Sequence, residues 1–245
     1  MRVLIGIDDT DNKETRGTGY RARLLATRLQ ESGLARVAGI TRHQLFVAPE
    51  IPYTSHNSSA TLDAEVENLQ AVVQFCKEFL LTECAEGSDP GLCVVQYDTI
   101  PDEVVDFGKR AKDTVLNQKM AIEMAASNNI LLMGLGGTND GIIGALAGVG
   151  LRKAGNDGRF LWLNGELKNH QGIYSVGELK SLTGLDEVTD MDGKELASGK
   201  VVDFGEWIRP VLRKHKSLIV VEPIEKTGDV CWKMAPKEYV KSISQ

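Results

Sequence analysis

Apolar runs of strand length alternate with amphipathic stretches of helix length along most of this chain. The strand-length runs, rich in Val, Ile and Leu, lie at residues 3–7, 37–48, 92–97 and 130–133. The helix-length stretches, with apolar residues spaced by three or four, lie at residues 20–30, 61–86, 108–127 and 141–153. Because each such helix has an apolar stripe that must be covered, we expect a layered α+β fold with helices packed on a sheet.

The pattern changes near residue 159 to short strands separated by turns. The β-branched and aromatic runs of this part lie at residues 160–163, 173–176, 200–204, 217–222 and 230–234. We therefore expect two domains. Residues 1–165 form the layered α/β domain, and residues 166–245 form a small, mostly β domain.

Charge balance limits the partners of the chain. Its 34 acidic residues outnumber its 28 basic ones and give a net charge of -6, so no global positive field attracts a polyanion. Tight non-specific binding to nucleic acid is therefore disfavoured. One basic cluster departs from this balance; it contains Arg209, Arg213, Lys214, His215 and Lys216. It is either a phosphate contact or a solvated strand edge.

Cysteine usage and hydropathy indicate a cytoplasmic protein without membrane contact. The 4 cysteines contain no C-x-x-C pair, which excludes a zinc ribbon and a disulfide framework. The longest apolar run, near residues 142–151, has about half the roughly 20 residues that a membrane span needs. The apolar run at the N-terminus is too short for the core of a signal peptide. The sequence leaves the oligomeric state open.

Three carboxylates directly follow the first predicted strand, at Asp8, Asp9 and Asp11. Gathering them involves Coulomb repulsion that a cation would relieve, and hard oxygen ligands at a strand end suit Mg²⁺ beside a phosphate. Alternation along the strand would point Asp9 and Asp11 to one side and Asp8 to the other. We predict that the three hold Mg²⁺; a solvated turn is the alternative.

Two glycine-rich loops each precede a predicted helix. The candidate cofactor contacts in them are Gly17 and Gly19 in the first loop, and Gly136, Gly137, Asn139 and Gly141 in the second. Backbone N–H groups in such a loop, together with the positive end of a helix, attract phosphate. Thr18 adds a hydroxyl in reach of a phosphate or metal. Helix capping and close packing of small residues are the alternatives for both loops.

Three further residues are weaker candidates for positioning a molecule that would accept a phosphate group at this site. Arg42 lies in the second predicted strand, and His56 and Asn57 lie in the polar loop at residues 54–59. A single histidine in a loop is more often solvated or structural than catalytic. These three therefore rank below the carboxylates.

Several segments together resemble a known family. They are residues 6–11 (GIDDTD), residues 51–60, Asp89-Pro90-Gly91 and residues 141–147 (GIIGALA). In this order and spacing they are similar to the archaeal agmatinylcytidine synthetases that act on an isoleucine tRNA. The similarity runs over about residues 1–150.

The resemblance implies a kinase domain paired with a ferredoxin-like domain. That family uses ATP and Mg²⁺ to phosphorylate a cytidine of the tRNA, and agmatine then displaces the phosphate. The resemblance implies that Asp8, Asp9 and Asp11 are metal-binding or catalytic carboxylates, and that Thr18 matches the threonine that becomes phosphorylated. Gly19 stands where the family has a second threonine.

Three hypotheses follow for the function. The first is a Mg²⁺- and ATP-dependent phosphotransferase or ligase with an unknown small-molecule or nucleoside acceptor. The second is a nucleotide-binding subunit without turnover, in keeping with Gly19. The third is a tRNA-modifying enzyme that recruits its RNA-binding module in trans, because the chain lacks the cysteine pairs of the family's zinc ribbon and the length for its OB-fold.

Overall fold

The computed structural model describes residues 1–51, 56–228 and 230–244. It contains a mixed α/β arrangement in two compact units, Met1–Ala154 and a second that begins at Gly155. None of the helices in the described ranges combines the length and the apolar character of a membrane-spanning segment.

The first unit contains one antiparallel sheet. Its strands are β1 (Arg2–Asp8), β2 (Ala35–Gln44), β3 (Ser58–Val66), β4 (Gly91–Gln96) and β5 (Leu131–Gly134). They lie in the order β5-β4-β1-β3-β2. The helices are α1 (Thr18–Glu31), α2 (Leu69–Glu83), α3 (Asp102–Arg110), α4 (Gln118–Ser127) and α5 (Gly141–Ala154). Strand β1 is therefore central.

Helices cover both faces of this sheet. Leu4 and Cys93 pack with buried residues of α3, α4 and α5 in one apolar cluster. Ile5 and Ile7 alternate with Leu4 along β1 and point to the opposite face, where α1 contacts β2 and β3. A layered α/β unit is thus present, whereas its kinase-like and ferredoxin-like character stays a prediction.

Two predicted helices have different bounds in the structure. The segment at residues 61–86 is a helix only from Leu69; the residues before it form β3, which pairs with β1 and β2. The segment at residues 108–127 is divided between α3 and α4, because the Asn117 side chain accepts a hydrogen bond from the Met120 amide and begins a new helix there.

The second unit consists mainly of strands. They are β6 (Arg159–Leu163), β7 (Ile173–Ser175), β8 (Glu187–Asp190), β9 (Val201–Asp203), β10 (Val211–Arg213), β11 (Lys216–Thr227) and β12 (Val230–Met234). Their order is β6-β10-β11-β12-β9-β7, and β8 pairs in parallel with β11. The helices α6 (Val176–Thr183) and α7 (Lys237–Ile243) complete the unit.

The division between the units falls before Gly155, earlier than the boundary after residue 165 that we predict from the sequence. Strand β6 explains the difference. Its residues Phe160 and Leu163 belong to the same buried cluster as Leu212 of β10 and Ile219 of β11. The strand therefore packs with the C-terminal unit.

Candidate functional site

Three strand ends lie side by side at one edge of the N-terminal sheet. Asp8, the last residue of β1, pairs with Gly91, the first residue of β4, and Gly91 pairs with Gly134, the last residue of β5. The segments that leave these strand ends carry the acidic cluster and the second glycine-rich loop. Antiparallel pairing thus brings together two segments that are far apart in the sequence.

Asp11 caps the first helix from outside it. Its Oδ1 accepts hydrogen bonds from the Thr18 amide and the Thr18 hydroxyl, each at 3.0 Å. The Thr10 hydroxyl in turn donates to Thr18 Oγ1 at 3.2 Å. Gly17, at the N-cap position, has no side chain to cap the helix. Asp11 thus caps the helix through Thr18, and Gly17 and Gly19 lie on either side of the capped residue.

Asp8 lies against the backbone of α5. Its Oδ1 accepts a hydrogen bond from the Asp9 amide at 2.9 Å, and a methyl group on Gly144 would overlap Oδ2. Burial raises the pKa of Asp8 to about 7, with smaller contributions in the same direction from Asp9 and Asp11. The Arg42 charge and the Asp9 hydrogen bond oppose this rise. Asp8 can therefore exchange a proton near neutral pH.

Asp9 experiences the field of three other carboxylates. Burial raises its pKa to about 6, and Asp89, Asp11 and Asp140 contribute in the same direction. Its backbone has a positive φ of 50°, which turns the chain sharply after β1. Sequence reasoning left Asp89 and Asp140 out of the acidic group. The pairing of Asp8 with Gly91 brings Asp89 near Asp9. No local sequence pattern reveals that strand register.

Asp89 and Gln118 hold the second glycine-rich loop. The Thr138 amide donates to Asp89 Oδ1 at 2.6 Å, and the Thr138 hydroxyl contacts Oδ2 of Asp89 at 2.8 Å and Oδ2 of Asp140 at 2.9 Å. The Gln118 side chain donates to the Thr138 carbonyl at 2.7 Å. The loop is therefore anchored from two sides.

The predicted cofactor contacts of this loop have different surroundings. The Gly141 amide donates to the Asp89 carbonyl at 3.1 Å, so it is engaged within the protein. Gly137 (φ 56°) and Asn139 (φ 68°) adopt left-handed backbone conformations, and a methyl group on Gly137 would overlap the Asp89 carboxylate. Gly136 packs loosely near Pro90. Close packing thus occurs at Gly137 and Gly141, and the role of the loop residues as cofactor contacts stays a prediction.

The three candidate acceptor contacts are not equivalent. Arg42 donates to Ser58 Oγ at 2.9 Å, and its charge acts on Asp8. The Asn57 side chain donates to the Phe46 carbonyl at 2.5 Å, and the Asn57 carbonyl accepts from the Leu45 amide. Asn57 therefore closes the connection between β2 and β3. His56 is exposed, and residues 52–55 of the same loop lie outside the described residues.

The carboxylates do not form a ready-made metal cage. Within the described ranges, no group of three or more His, Cys, Asp or Glu side chains is arranged to hold a metal ion. Asp8 points toward α5 whereas Asp11 points toward α1. Their assignment as metal ligands stays a prediction.

The fold and the site define the N-terminal unit as a mixed α/β unit with an acidic site at a sheet edge. Across 61% of its length the chain is homologous to TiaS, the 2-agmatinylcytidine synthetase of an isoleucine tRNA. No protein-family model matches the sequence.

Individual relatives give the extent of this similarity. The chain is 28% identical to the 2-agmatinylcytidine synthetase TiaS of Methanosarcina mazei over 248 aligned residues, 91% of this chain and 57% of that protein. It is 32% identical over 154 residues to an uncharacterised protein of Methanocaldococcus jannaschii, which covers 61% of this chain and 50% of that protein. The chain thus spans about half the length of these two relatives.

Solved structures agree. The crystal structure of TiaS in complex with its isoleucine tRNA and ATP matches 61% of this chain and 36% of that chain, with a TM-score of 0.55 and 30% identity. A complex of TiaS with the same tRNA, AMPCPP and agmatine matches with a TM-score of 0.53 and 29% identity. The shared portion thus has the same fold.

Proposed function

We propose that the chain is an ATP-dependent, tRNA-modifying phosphotransferase or ligase whose N-terminal unit activates an acceptor group with ATP and Mg²⁺. One observation carries this proposal: the row Asp8, Gly91 and Gly134 brings the acidic segment and the anchored loop to one sheet edge. Homology to TiaS supports the choice of nucleotide and RNA, because TiaS has been crystallised in a complex with ATP and an isoleucine tRNA.

The acidic group suits Mg²⁺ without a protein cage. Mg²⁺ is usually held by one or two carboxylates together with phosphate oxygens and water. Burial and the charges of Asp89, Asp11 and Asp140 raise the pKa of Asp9 to about 6, and a divalent cation would relieve that repulsion. Asp9 is the first candidate ligand, with Asp11 and Asp89 beside it. The ion would neutralise charge that develops on the phosphates.

The chain's own groups supply positioning and proton transfer. Asp8, with a pKa of about 7, accepts the proton of the attacking hydroxyl at neutral pH. The backbone of Gly19, in the first turn of α1, and of Gly136 donates hydrogen bonds to phosphate oxygens. Arg42 orients the acceptor beside Asp8.

The test is Mg²⁺-dependent turnover of ATP in the presence of tRNA, compared between the parent protein and Asp9→Asn. We expect Asp9→Asn to abolish turnover, and Asp98→Asn, which removes an equal charge from an exposed position, to leave it unchanged. ATP with Mg²⁺ should also raise the melting temperature of the parent, because a ligand that binds only the folded state stabilises it. Equal turnover in parent and Asp9→Asn would remove the acidic group from the mechanism.

A nucleotide-binding subunit without turnover is the second candidate. Asp11 and Thr10 already engage the Thr18 hydroxyl, and Gly19 supplies no second hydroxyl. Calorimetric binding of ATP without hydrolysis, in the presence of tRNA and agmatine, would favour this candidate over the first.

A further inference from the structure

The basic cluster at residues 209–216 does not form one patch. Lys216 forms an ion pair with Glu187. Arg213 donates to the Asn156 carbonyl at 3.0 Å, and the His215 amide donates to the Gly155 carbonyl at 2.8 Å. Local contacts therefore engage the charged side chains of Arg213 and Lys216 and the backbone of His215. Arg209 has different surroundings.

Arg209 lies beside an exposed indole. Its guanidinium carbon is 5.8 Å from the centroid of the Trp207 ring, which is a cation–π contact. The Trp207 side chain is 53% exposed, whereas Trp162 is 5% exposed. Burying an indole normally stabilises a protein, so an exposed one beside an arginine is a candidate contact for a planar ligand.

A second arginine lies next to Arg209. Arg159 pairs with Val211 across β6 and β10, and the Phe160 amide donates to the Pro210 carbonyl at 2.8 Å. Arg159 therefore lies opposite a residue that is two positions from Arg209 in the chain. Burial, followed by the charge of Arg209, lowers the pKa of Arg159. Among the described residues, neither guanidinium forms an ion pair with a carboxylate.

We propose that Trp207, Arg209 and Arg159 form a binding subsite for single-stranded RNA, in which a base stacks on the Trp207 indole and a backbone phosphate lies between the two guanidiniums. This inference rests on the proposed function for its choice of substrate. It assigns RNA contact to the C-terminal unit of this chain, in contrast to the low affinity that the net charge of -6 predicts.

The chemistry favours RNA over an acidic peptide. Paired guanidiniums bind phosphate through planar, two-pronged hydrogen bonds, and an aromatic ring next to a cation is how single strands are held without sequence preference. An acidic peptide would use the arginines but would have no need of the indole. The role of Trp207 thus distinguishes the two partners.

The test measures binding of a fluorescein-labelled oligouridylate to the full chain by anisotropy. We expect Trp207→Ala to weaken binding about tenfold or more, and Trp207→Phe, which keeps a stacking ring, to retain most of the affinity. Arg209→Gln and Arg159→Gln should each lower the slope of log affinity against log salt by about one. Lys216→Ala, which removes one charge from the same unit but leaves the subsite intact, should change affinity less than about twofold.

Two results would overturn the subsite. One is equal affinity of the parent, Trp207→Ala and Arg209→Gln; the other is displacement of the RNA by polyglutamate with Trp207→Ala unaffected, which would identify an acidic protein partner. Thermal melts show whether each variant is folded. If Arg159→Gln does not fold, Arg209→Gln alone provides the test of the salt dependence. Calorimetry of Mg²⁺-ATP with Trp207→Ala separates the two proposals. If Trp207→Ala binds ATP and also binds RNA as well as the parent does, the subsite alone is refuted. If neither the parent nor any variant binds ATP, the proposed function is refuted.

Discussion

Thr18 donates from both its amide and its hydroxyl to a single oxygen of Asp11, Oδ1, at 3.0 Å in each case. One carboxylate oxygen thereby fixes the loop after β1 to the start of α1. These two hydrogen bonds therefore link the acidic segment directly to the first helix.

Replacement of Thr18 by Val keeps the shape of the side chain and removes this hydroxyl. We expect a loss of about 1 to 3 kcal/mol in the free energy of unfolding, since Thr10 and Asp11 lose a buried partner. Turnover should fall about 100-fold, as displaced catalytic groups do. Thr27→Val on the same helix, where the hydroxyl contacts only the Arg23 carbonyl, is the control. Similar kinetics of the two variants would exclude a special role for Thr18.

A methyl group at Gly144 should displace Asp8. Gly144→Ala would force Asp8 Oδ2 away from α5, and overpacking of this kind destabilises by about 1 to 3 kcal/mol. Gly199→Ala meets open space and should be neutral. Urea unfolding of Gly144→Ala in an Asp8→Ala background provides the decisive comparison. The destabilisation should shrink there, and an undiminished loss would show that the overlap is with the helix itself.

Ionisation of Asp8 should lower stability as the pH rises. Its pKa is about 7 in the folded protein and 3.8 as a free side chain, so between these values the folded state binds more protons than the unfolded state. Stability from this group is greatest below about pH 4 and declines toward about pH 7. Asp8→Asn should flatten that decline in thermal melts across this range. Asp192→Asn, in an exposed turn, should leave the slope as it is in the parent.

Asp63 should be the most sensitive charged residue of the sheet. It accepts from Arg2 Nη2 at 2.7 Å and from Arg152 Nη2 at 2.6 Å, and Arg152 is buried. Asp63→Asn leaves that arginine without its anion and should destabilise by about 3 to 5 kcal/mol. Glu65→Gln breaks the neighbouring exposed pair with Arg36, which should change stability by less than about 1 kcal/mol. Chemical denaturation measures both, and equal effects would contradict this ranking.

The Thr138 hydroxyl should control the order of the second glycine-rich loop. Because it carries one proton, it can donate to only one of Asp89 and Asp140 at a time. Thr138→Ala removes this bridge, so amide exchange at residues 136–140 should accelerate and the KM for ATP should rise with kcat little changed. Thr99→Ala, whose hydroxyl contacts the Gln96 carbonyl, is the control. Unaltered exchange and KM would mean that the Gln118 side chain and the backbone amide of residue 138, which donates to Asp89, are enough to anchor the loop.

Local pattern predicts the elements that are amphipathic or bounded by clear breaks. The strand predicted at residues 3–7 is Arg2–Asp8, and the helix predicted at residues 141–153 is Gly141–Ala154. The start of the helix predicted at residues 61–86 was wrong because β3 is buried on both faces, which removes the alternation that marks a half-buried strand. Leu62 and Val66 then continue the helical spacing of α2 by coincidence.

The site is less accessible to local reasoning. Asp8, Asp9 and Asp11 are conspicuous because they follow an apolar strand. Asp89 and Asp140 join them only through strand register and a loop contact, and these depend on tertiary structure. The Asn57 side chain donates to the Phe46 carbonyl, a contact that no local pattern reveals, and its role toward the acceptor stays a prediction.

Helix α5 approaches the sheet backbone to backbone at two points, because methyl groups at Gly6 and Gly91 would overlap backbone atoms of Ala145 and Gly141. At these two points no side chain lies between the helix and the strand, so none can be exchanged there for another of similar volume. A substitution at either glycine therefore cannot be compensated by a smaller neighbouring side chain. We expect these glycines to change more slowly during evolution than the exposed residues of the same unit. In an alignment of relatives, these glycines should therefore have the lowest substitution rates of the unit.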